Sequence, residues 1–253
     1  RYIVFLSQDA KPYDSFWLKH LLSTFEDPQV AGAFSRHIPR PHASVSTVRQ
    51  LVMLSQTGGD QRLVKQMPAS ADGTSDLEAA DGASVYETNL FYYIYFSNTS
   101  SAVRRSIFEQ IPFSRVDFAE DAVWADQVLR AGYKLVFEPT SAVVHSHDYS
   151  LIEQFRQNVD HVHAMMKLFR PDELRSHHLR SHKLWLKHLL GIPFATLDDL
   201  KFLRSSAYFR GESRGFKVKT LLRSPFWQLA TVLGGWLGAS LDEMPPSIKR
   251  TFS

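Results

Sequence analysis

The chain contains no cysteine. That excludes a disulfide framework, a zinc–thiolate site, an iron–sulfur cluster and a cysteine nucleophile. Neither sign of charge is in large excess. Against 29 Lys/Arg stand 26 Asp/Glu, a formal +3, too little to point to nucleic acid as a partner. The glycine patterns of a P-loop or a dinucleotide fold are missing, as are zinc-protease spacing and the Gly-x-Ser-x-Gly turn of a hydrolase. No internal repeat is present. What remains is 253 residues, 44% hydrophobic and 22% charged. That is enough for one large domain, or a domain with an appendage, and too apolar for wholesale disorder.

The charge is unevenly spread. Residues 175–253 hold 13 Lys/Arg and 5 Asp/Glu, whereas residues 1–174 hold 16 and 21. Arg204, Arg210, Arg214, Lys217, Lys219 and Arg223 are opposed only by Glu212, and Phe226-Trp227 and an apolar stretch to Leu241 follow. That stretch falls short of the ~20 apolar residues of a membrane span. Basic residues beside Trp and Phe fit a segment lying on an anionic membrane. A helix packed on the rest of the chain, or on a second subunit, fits as well.

The pattern of elements is α/β. Tyr2–Leu6 reads as a strand buried on both faces, inside a sheet. With no initiator methionine ahead of it, the expectation is that further strands precede it. A helix with Trp17, Leu18, Leu21, Leu22 and Phe25 on one face ends at Asp27-Pro28, and Val30–Phe34 is a second strand. A helix spans about 46–55, and a long loop about 58–84. The aromatic stretch 90–96 offers Tyr92, Tyr93 and Tyr95, as strand residues or as stacking faces for sugar rings. A helix follows Glu120-Asp121 and ends before Gly132. Lys134–Phe137 and Ala142–Val144 read as two strands. Leu151–Leu168 is an amphipathic helix ended by Pro171, and Leu184–Leu190 another, ended near Gly191-Ile192-Pro193. Residues 197–241 read as helix with breaks. The division expected is a catalytic portion at 1–170 and a helical, basic and apolar extension at 171–253.

Acidic groups and histidines at strand ends carry the chemistry. Asp9 follows one strand, Glu120 and Asp121 open a helix, and His145 and His147 follow another strand. Carboxylate oxygen and imidazole nitrogen together hold divalent metals, and a second carboxylate can accept a proton. Plain alternatives exist for each. Asp9 could cap the next helix, and Glu120 and Asp121 could favour a helix N-terminus. Either histidine could be bonded to backbone, and Arg104 and Arg105 could be solvated surface.

Three segments carry a resemblance, in order: YIVFLSQDAKPYDSFWLKHLLSTFEDPQVAGAFSRHIPRP at 2–41, FSNTSSAVRRSIFEQIPF at 96–113, and FAEDAVWADQVLRAGYKLVFEPTSAVVHSHDYS at 118–150. The sequence resembles family 2 glycosyltransferases of the GT-A fold, most closely their bacterial rhamnosyltransferase branch. The resemblance implies a mostly parallel sheet flanked by helices, with a helical C-terminal extension. It implies an inverting transferase of cell-surface polysaccharide biosynthesis that uses a nucleoside-diphosphate sugar, expected to be dTDP-rhamnose, and Mg²⁺ or Mn²⁺. The acceptor would be a glycan or a lipid-linked glycan. The place would be the cytoplasm, peripherally on the inner face of the cell membrane. The family's Asp-x-Asp is here Ser7-Gln8-Asp9, with one carboxylate fewer. Gln8 and Asp9 would bind the donor, Asp9 and His145 the metal, with His147 as the competing register. Asp121 would be the general base, with Glu120 orienting it or the acceptor. Arg104 or Arg105 would add positive charge at the phosphates. The family's nucleotide-binding half, which precedes the metal motif, is not in these residues. The alternatives are a non-catalytic glycan-binding or scaffold module of the same shape, and a nucleotidyltransferase.

Overall fold

The structure is a computed structural model that describes residues 1–67, 90–116, 118–168, 182–245 and 247. Residues 68–84 of the expected loop, and Pro171, lie outside the described residues. The chain divides into two units. The first comprises residues 1–40 and 51–146; the second comprises residues 41–50 and 147–253.

The first unit is a mixed sheet between helices. Its strands are β1 (Tyr2–Leu6), β2 (Lys11–Pro12), β3 (Val30–Ile38), β4 (Leu63–Lys65), β5 (Ser100–Arg104) and β6 (Lys134–Val144). The order is β1-β5-β3-β6-β2, with β4 also on β6. Among the described strands only β3 and β6 pair in parallel; the other pairings are antiparallel. The sheet of the described residues is therefore mixed rather than mostly parallel, because β2, β4 and β5 run against the direction of their neighbours.

β1 stands at the edge of the described sheet. It pairs with β5 alone among the described residues, and Tyr2, Val4 and Leu6 are 38–41% exposed. Ile3 and Phe5 alternate with them on the more covered face. The two strands expected at 134–137 and 142–144 are one strand. A register shift opposite Ser35-Arg36 absorbs Pro139, which can occupy a bulge.

Helices cover both faces. α1 (Trp17–Ser23) places Leu21 on a core of Phe25, Val30, Ala33, Ala102 and Val136. Beneath it lie three fully buried serines. Ser35 Oγ stands 2.7 Å from Ser100 Oγ and 2.8 Å from Ser141 Oγ, and the Trp17 indole donates to Ser100 Oγ at 2.9 Å. These hydroxyls satisfy one another, so the polar patch can sit in the core. On the other face, Phe34 meets Phe96, and Phe96 meets the buried Trp124. Short helices complete the unit: α3 (Leu90–Ile94), α4 (Arg105–Phe108) and α5 (Glu120–Arg130). α5 ends as expected before Gly132, whose φ of +85° is left-handed. Residues 90–94 are helix rather than strand, with Leu90 and Ile94 one turn apart and both buried. The helix α2 (Val45–Met53) crosses the division between the units.

The second unit is helical: α6 (Leu151–Leu168), α7 (His182–Ser205) and α8 (Arg214–Ser240). α6 and α8 approach closely. A Cβ on Gly234 would come within 2.3 Å of the Phe155 carbonyl oxygen, and one on Gly238 within 2.4 Å of that of Val159. Pro193 does not end a helix as expected but lies inside α7, and Pro225 lies inside α8. An interior proline costs ~3 kcal/mol. Burial of Asp199, Phe202 and Leu203 beyond it keeps α7 continuous. Asp199 accepts from Ser46 Oγ at 2.7 Å and Ser224 Oγ at 2.6 Å, and is paired with Arg49. No described helix is long and apolar enough to cross a membrane.

Candidate active site

Three strand ends share one edge of the first unit. β1 opposes β5, β5 opposes β3, and β3 runs with β6. Hence β1, β3 and β6 point the same way. Ser7–Asp9 follow β1, His37 lies near the end of β3, and His145 follows β6. Open α/β sheets hold ligands at such carboxyl ends.

Asp9 is the centre of this edge. Ser7 Oγ donates to Asp9 Oδ1 at 2.9 Å. Asp9 Oδ2 lies 3.3 Å from His145 Nε2 and 3.3 Å from Arg40 Nη2. Arg40 also donates to the Asp9 carbonyl. The Asp9 side chain is 35% exposed and that of His145 only 9%. The His145 backbone N–H donates to the Ile38 carbonyl at 2.9 Å, which seats the histidine beside the end of β3. Its ring meets the buried His37 edge-on, with centroids 5.3 Å apart. His37 Nε2 in turn is 3.4 Å from Ser97 Oγ.

Ser97 leads into the second part of the seam. The Asn98 N–H donates to Asp121 Oδ2 at 3.4 Å, and its side-chain amide donates to Glu120 Oε1 at 3.3 Å. The Ala122 N–H donates to Asp121 Oδ1 at 2.9 Å. Ahead of the carboxylates, Ala119 has φ 61° and ψ 33°. This left-handed conformation costs an alanine ~1–2 kcal/mol. Strained backbone of this kind gathers at functional positions.

Burial, with Glu120 beside it, pushes the Asp121 carboxyl up to about 6, against the pull of the Asn98 and Ala122 amides. Its ionised form is thus short of solvation and basic enough to take a proton near neutrality. Burial and the charge of Asp121 hold the Tyr95 phenol above its ordinary range.

The structure brings Asp9 and His145 together, and Glu120 and Asp121 against Asn98. Gln8 is exposed in the turn after β1. His147 belongs to the second unit, where its ring stacks on Tyr149 at 5.0 Å. Arg104 and Arg105 are placed elsewhere. Arg104 pairs in register with Tyr2, at the start of β1, whereas Asp9 follows its end. The Arg104 guanidinium donates to the carbonyls of Val30, Phe25 and Asp27. Arg105 is exposed and paired with Glu109 at 2.9 Å. Tyr95 packs on Phe34, and Tyr92 lies edge-on to Tyr93.

Sequence reasoning passed over Arg40, His37, Ser97 and Asn98. Arg40 and His37 lie just past the strand at Val30–Phe34, and Ser97-Asn98 in the polar run before Arg104; position after a strand was the available signal. It also passed over Lys65, on β4. That side chain is fully buried and donates to the Tyr95 carbonyl at 2.5 Å. Its Nζ lies 5.1–5.5 Å from the ring centres of Phe34, Tyr92 and Tyr95. Burial brings it down to about 6.

No family model matches the chain. Two curated proteins do. The O-antigen chain rhamnosyltransferase RfbN of Salmonella typhimurium is 27% identical over 253 residues, which is 99% of this chain and 68% of that protein. The O-antigen chain rhamnosyltransferase WbaN of Salmonella anatum is 26% identical over 255 residues, 100% of this chain and 68% of its own length. The chain is a distant homologue of these enzymes, and its mixed sheet flanked by helices is consistent with a GT-A-like fold.

Proposed function

We propose that the protein transfers a sugar, L-rhamnose, from a nucleoside-diphosphate donor to a glycan or lipid-linked glycan acceptor, inverting the anomeric carbon. The observation that carries this reading is the single seam joining Asp9–His145 to Asn98–Glu120–Asp121. Homology along the whole chain to two O-antigen rhamnosyltransferases supports the donor class.

In this reading the acceptor hydroxyl attacks the anomeric carbon while its bond to the diphosphate breaks. The hydroxyl proton goes to Asp121, and the electron pair leaves with the diphosphate. One displacement by one base inverts the carbon and needs no covalent intermediate. Glu120, held by the Asn98 amide, orients the acceptor. Asp9 and His145 would hold Mg²⁺ or Mn²⁺; their donor atoms, 3.3 Å apart, suit two ligands of one ion. Such an ion would supply charge neutralisation at the leaving diphosphate. Arg40 adds a fixed positive charge at the same carboxylate.

The test is donor consumption and glycan product by the native protein, with dTDP-rhamnose and competing nucleotide sugars. Transfer that is abolished in Asp121→Asn supports the assignment. Glycan binding without donor consumption would instead identify a non-catalytic binding module.

A further inference from the structure

Surface helices of globular proteins turn their polar side chains to water. Along their middle sections α7 and α8 do the reverse. On α7, Leu186, Leu190, Phe194 and Leu197 are 51–70% exposed. Their spacing of four, four and three residues puts them on one side of the helix. On α8, Val218, Leu222, Phe226, Leu229 and Leu233 are 37–66% exposed, again on one side. These are not core faces turned outward by mistake, because each helix has a different face that is buried. Thr220, Ser224, Trp227, Gly234 and Gly238 of α8 are all covered, as are Asp199, Phe202 and Leu203 of α7.

Cations frame the two apolar faces. Exposed Lys183 and Lys187 lie at one end of the α7 stripe, and exposed Lys201 and Arg204 at the other. Exposed Arg214 and Lys219 stand at the start of the α8 stripe. α8 contains no Asp or Glu in its 27 residues. On α7 the exposed acid is Asp198, which Lys201 neutralises at 3.2 Å. The α8 stripe runs for ~22 Å at 1.5 Å per residue, and no described helix is apolar enough to cross a bilayer. An exposed apolar stripe edged by cations is the chemistry that lies in the plane of a bilayer, apolar side inward and cations among anionic headgroups.

We propose that the exposed faces of α7 and α8 dock the protein on an anionic membrane surface. This goes beyond the transferase reading and does not rest on it. It also differs from the broad basic run seen in the sequence. Arg223 is held by Asp148 and the Tyr149 carbonyl, and Trp227 faces inward. The contacting side chains are the apolar stripes, four of these nine residues lying on α7.

The experiment is co-flotation of the full chain with vesicles of phosphatidylcholine, alone or with phosphatidylglycerol, at low and high salt. The wild type should prefer the anionic vesicles at least about tenfold at low salt and lose part of that preference at high salt. The combined change Leu190→Ser, Phe194→Ser, Leu222→Ser and Phe226→Ser should weaken binding by at least about tenfold. A second measurement does not depend on how that variant folds. Because the chain has no cysteine, Leu222→Cys can carry a single polarity-sensitive dye, with Asp60→Cys as the control. The dye at 222 should shift to the blue on anionic vesicles and the dye at 60 should not. The proposal is overturned if the wild type binds neither vesicle, or if the dye at 222 reports no change. It is equally overturned if the wild type is a dimer that the serine variant dissolves while neither floats; the stripes would then serve a second copy of the chain.

Discussion

Replacing Asp121 by Asn should stabilise the protein while removing its chemistry. Folding raises the carboxyl from an ordinary aspartate value to about 6. The folded state therefore holds the proton more tightly than the unfolded chain. This group's favourable contribution is present at low pH, is lost as pH rises from about 4 through about 6, and stays lost above that. A gap of about two units corresponds to ~3 kcal/mol at ~1.36 kcal/mol per unit. Asn keeps the acceptor for the Ala122 amide but turns an NH₂ toward one of the donors, giving back ~1 kcal/mol. The net gain at pH 7.5 is then ~1–2 kcal/mol, or roughly 3–6 °C in melting temperature for a chain of this size. At pH 4 the folded carboxyl is protonated and the unfolded one is about half protonated, so most of the difference is gone and the gain should vanish or reverse. Transfer should fall ~10²–10⁴-fold if Asp121 is the base, and wild-type transfer should rise with pH through about 6 and then level off. Thermal unfolding of both proteins at the two pH values, beside donor turnover, reads all of this. A difference in melting temperature that is the same at pH 4 and pH 7.5, or a variant less stable than wild type at pH 7.5, would refute the reasoning about burial. Near-wild-type turnover would remove Asp121 as the base.

Other consequences are equally direct. Lys65→Met should stabilise the first unit at pH 7, because the unfolded chain gains a proton that buried Lys65 resists. That gain should shrink as pH approaches the ordinary lysine value, and a gain independent of pH would contradict the assignment. Gly238→Ala should destabilise the helical unit by ~2–4 kcal/mol in urea unfolding, since the added carbon meets the Val159 carbonyl rather than a movable side chain. Unchanged stability would mean that α6 and α8 do not approach so closely. His145→Ala should weaken Mn²⁺ binding, followed by titration calorimetry, at least about tenfold. Equal affinity in the variant would detach the metal from the Asp9–His145 pair.

Local rules carried a good deal of this protein. Periodicity located α1, α5 and α6, and Gly132 ended α5 because only a left-handed residue closes that turn cheaply. Strand-end position singled out Asp9 and His145, and the paired acids at a helix start singled out Glu120 and Asp121. These features follow from a few neighbouring residues, so a sequence can display them. Direction and pairing are different, for strand polarity depends on partners distant in the chain. Tyr2–Leu6 is apolar enough for either a central or an edge strand, and its antiparallel pairing with β5 could not be read from those five residues. The aromatic stretch at 90–94 became helix because Leu90 and Ile94 share one buried face. Pro193 reads as a helix end, yet it lies inside α7, where burial beyond it outweighs the local penalty. The same holds within the site. Arg104 resembles a phosphate ligand by composition, but the sheet register carries it to the far end of β1 and spends its guanidinium on backbone carbonyls. Arg40, His37 and Asn98 have no special pattern of their own. They matter because three strands running one way, and a strained turn at Ala119, bring them beside Asp9, His145 and Asp121. Chemistry that depends on residue type and local position was written in the sequence. Which groups meet, and how far burial moves their proton affinities, was decided by packing between segments more than 20 residues apart.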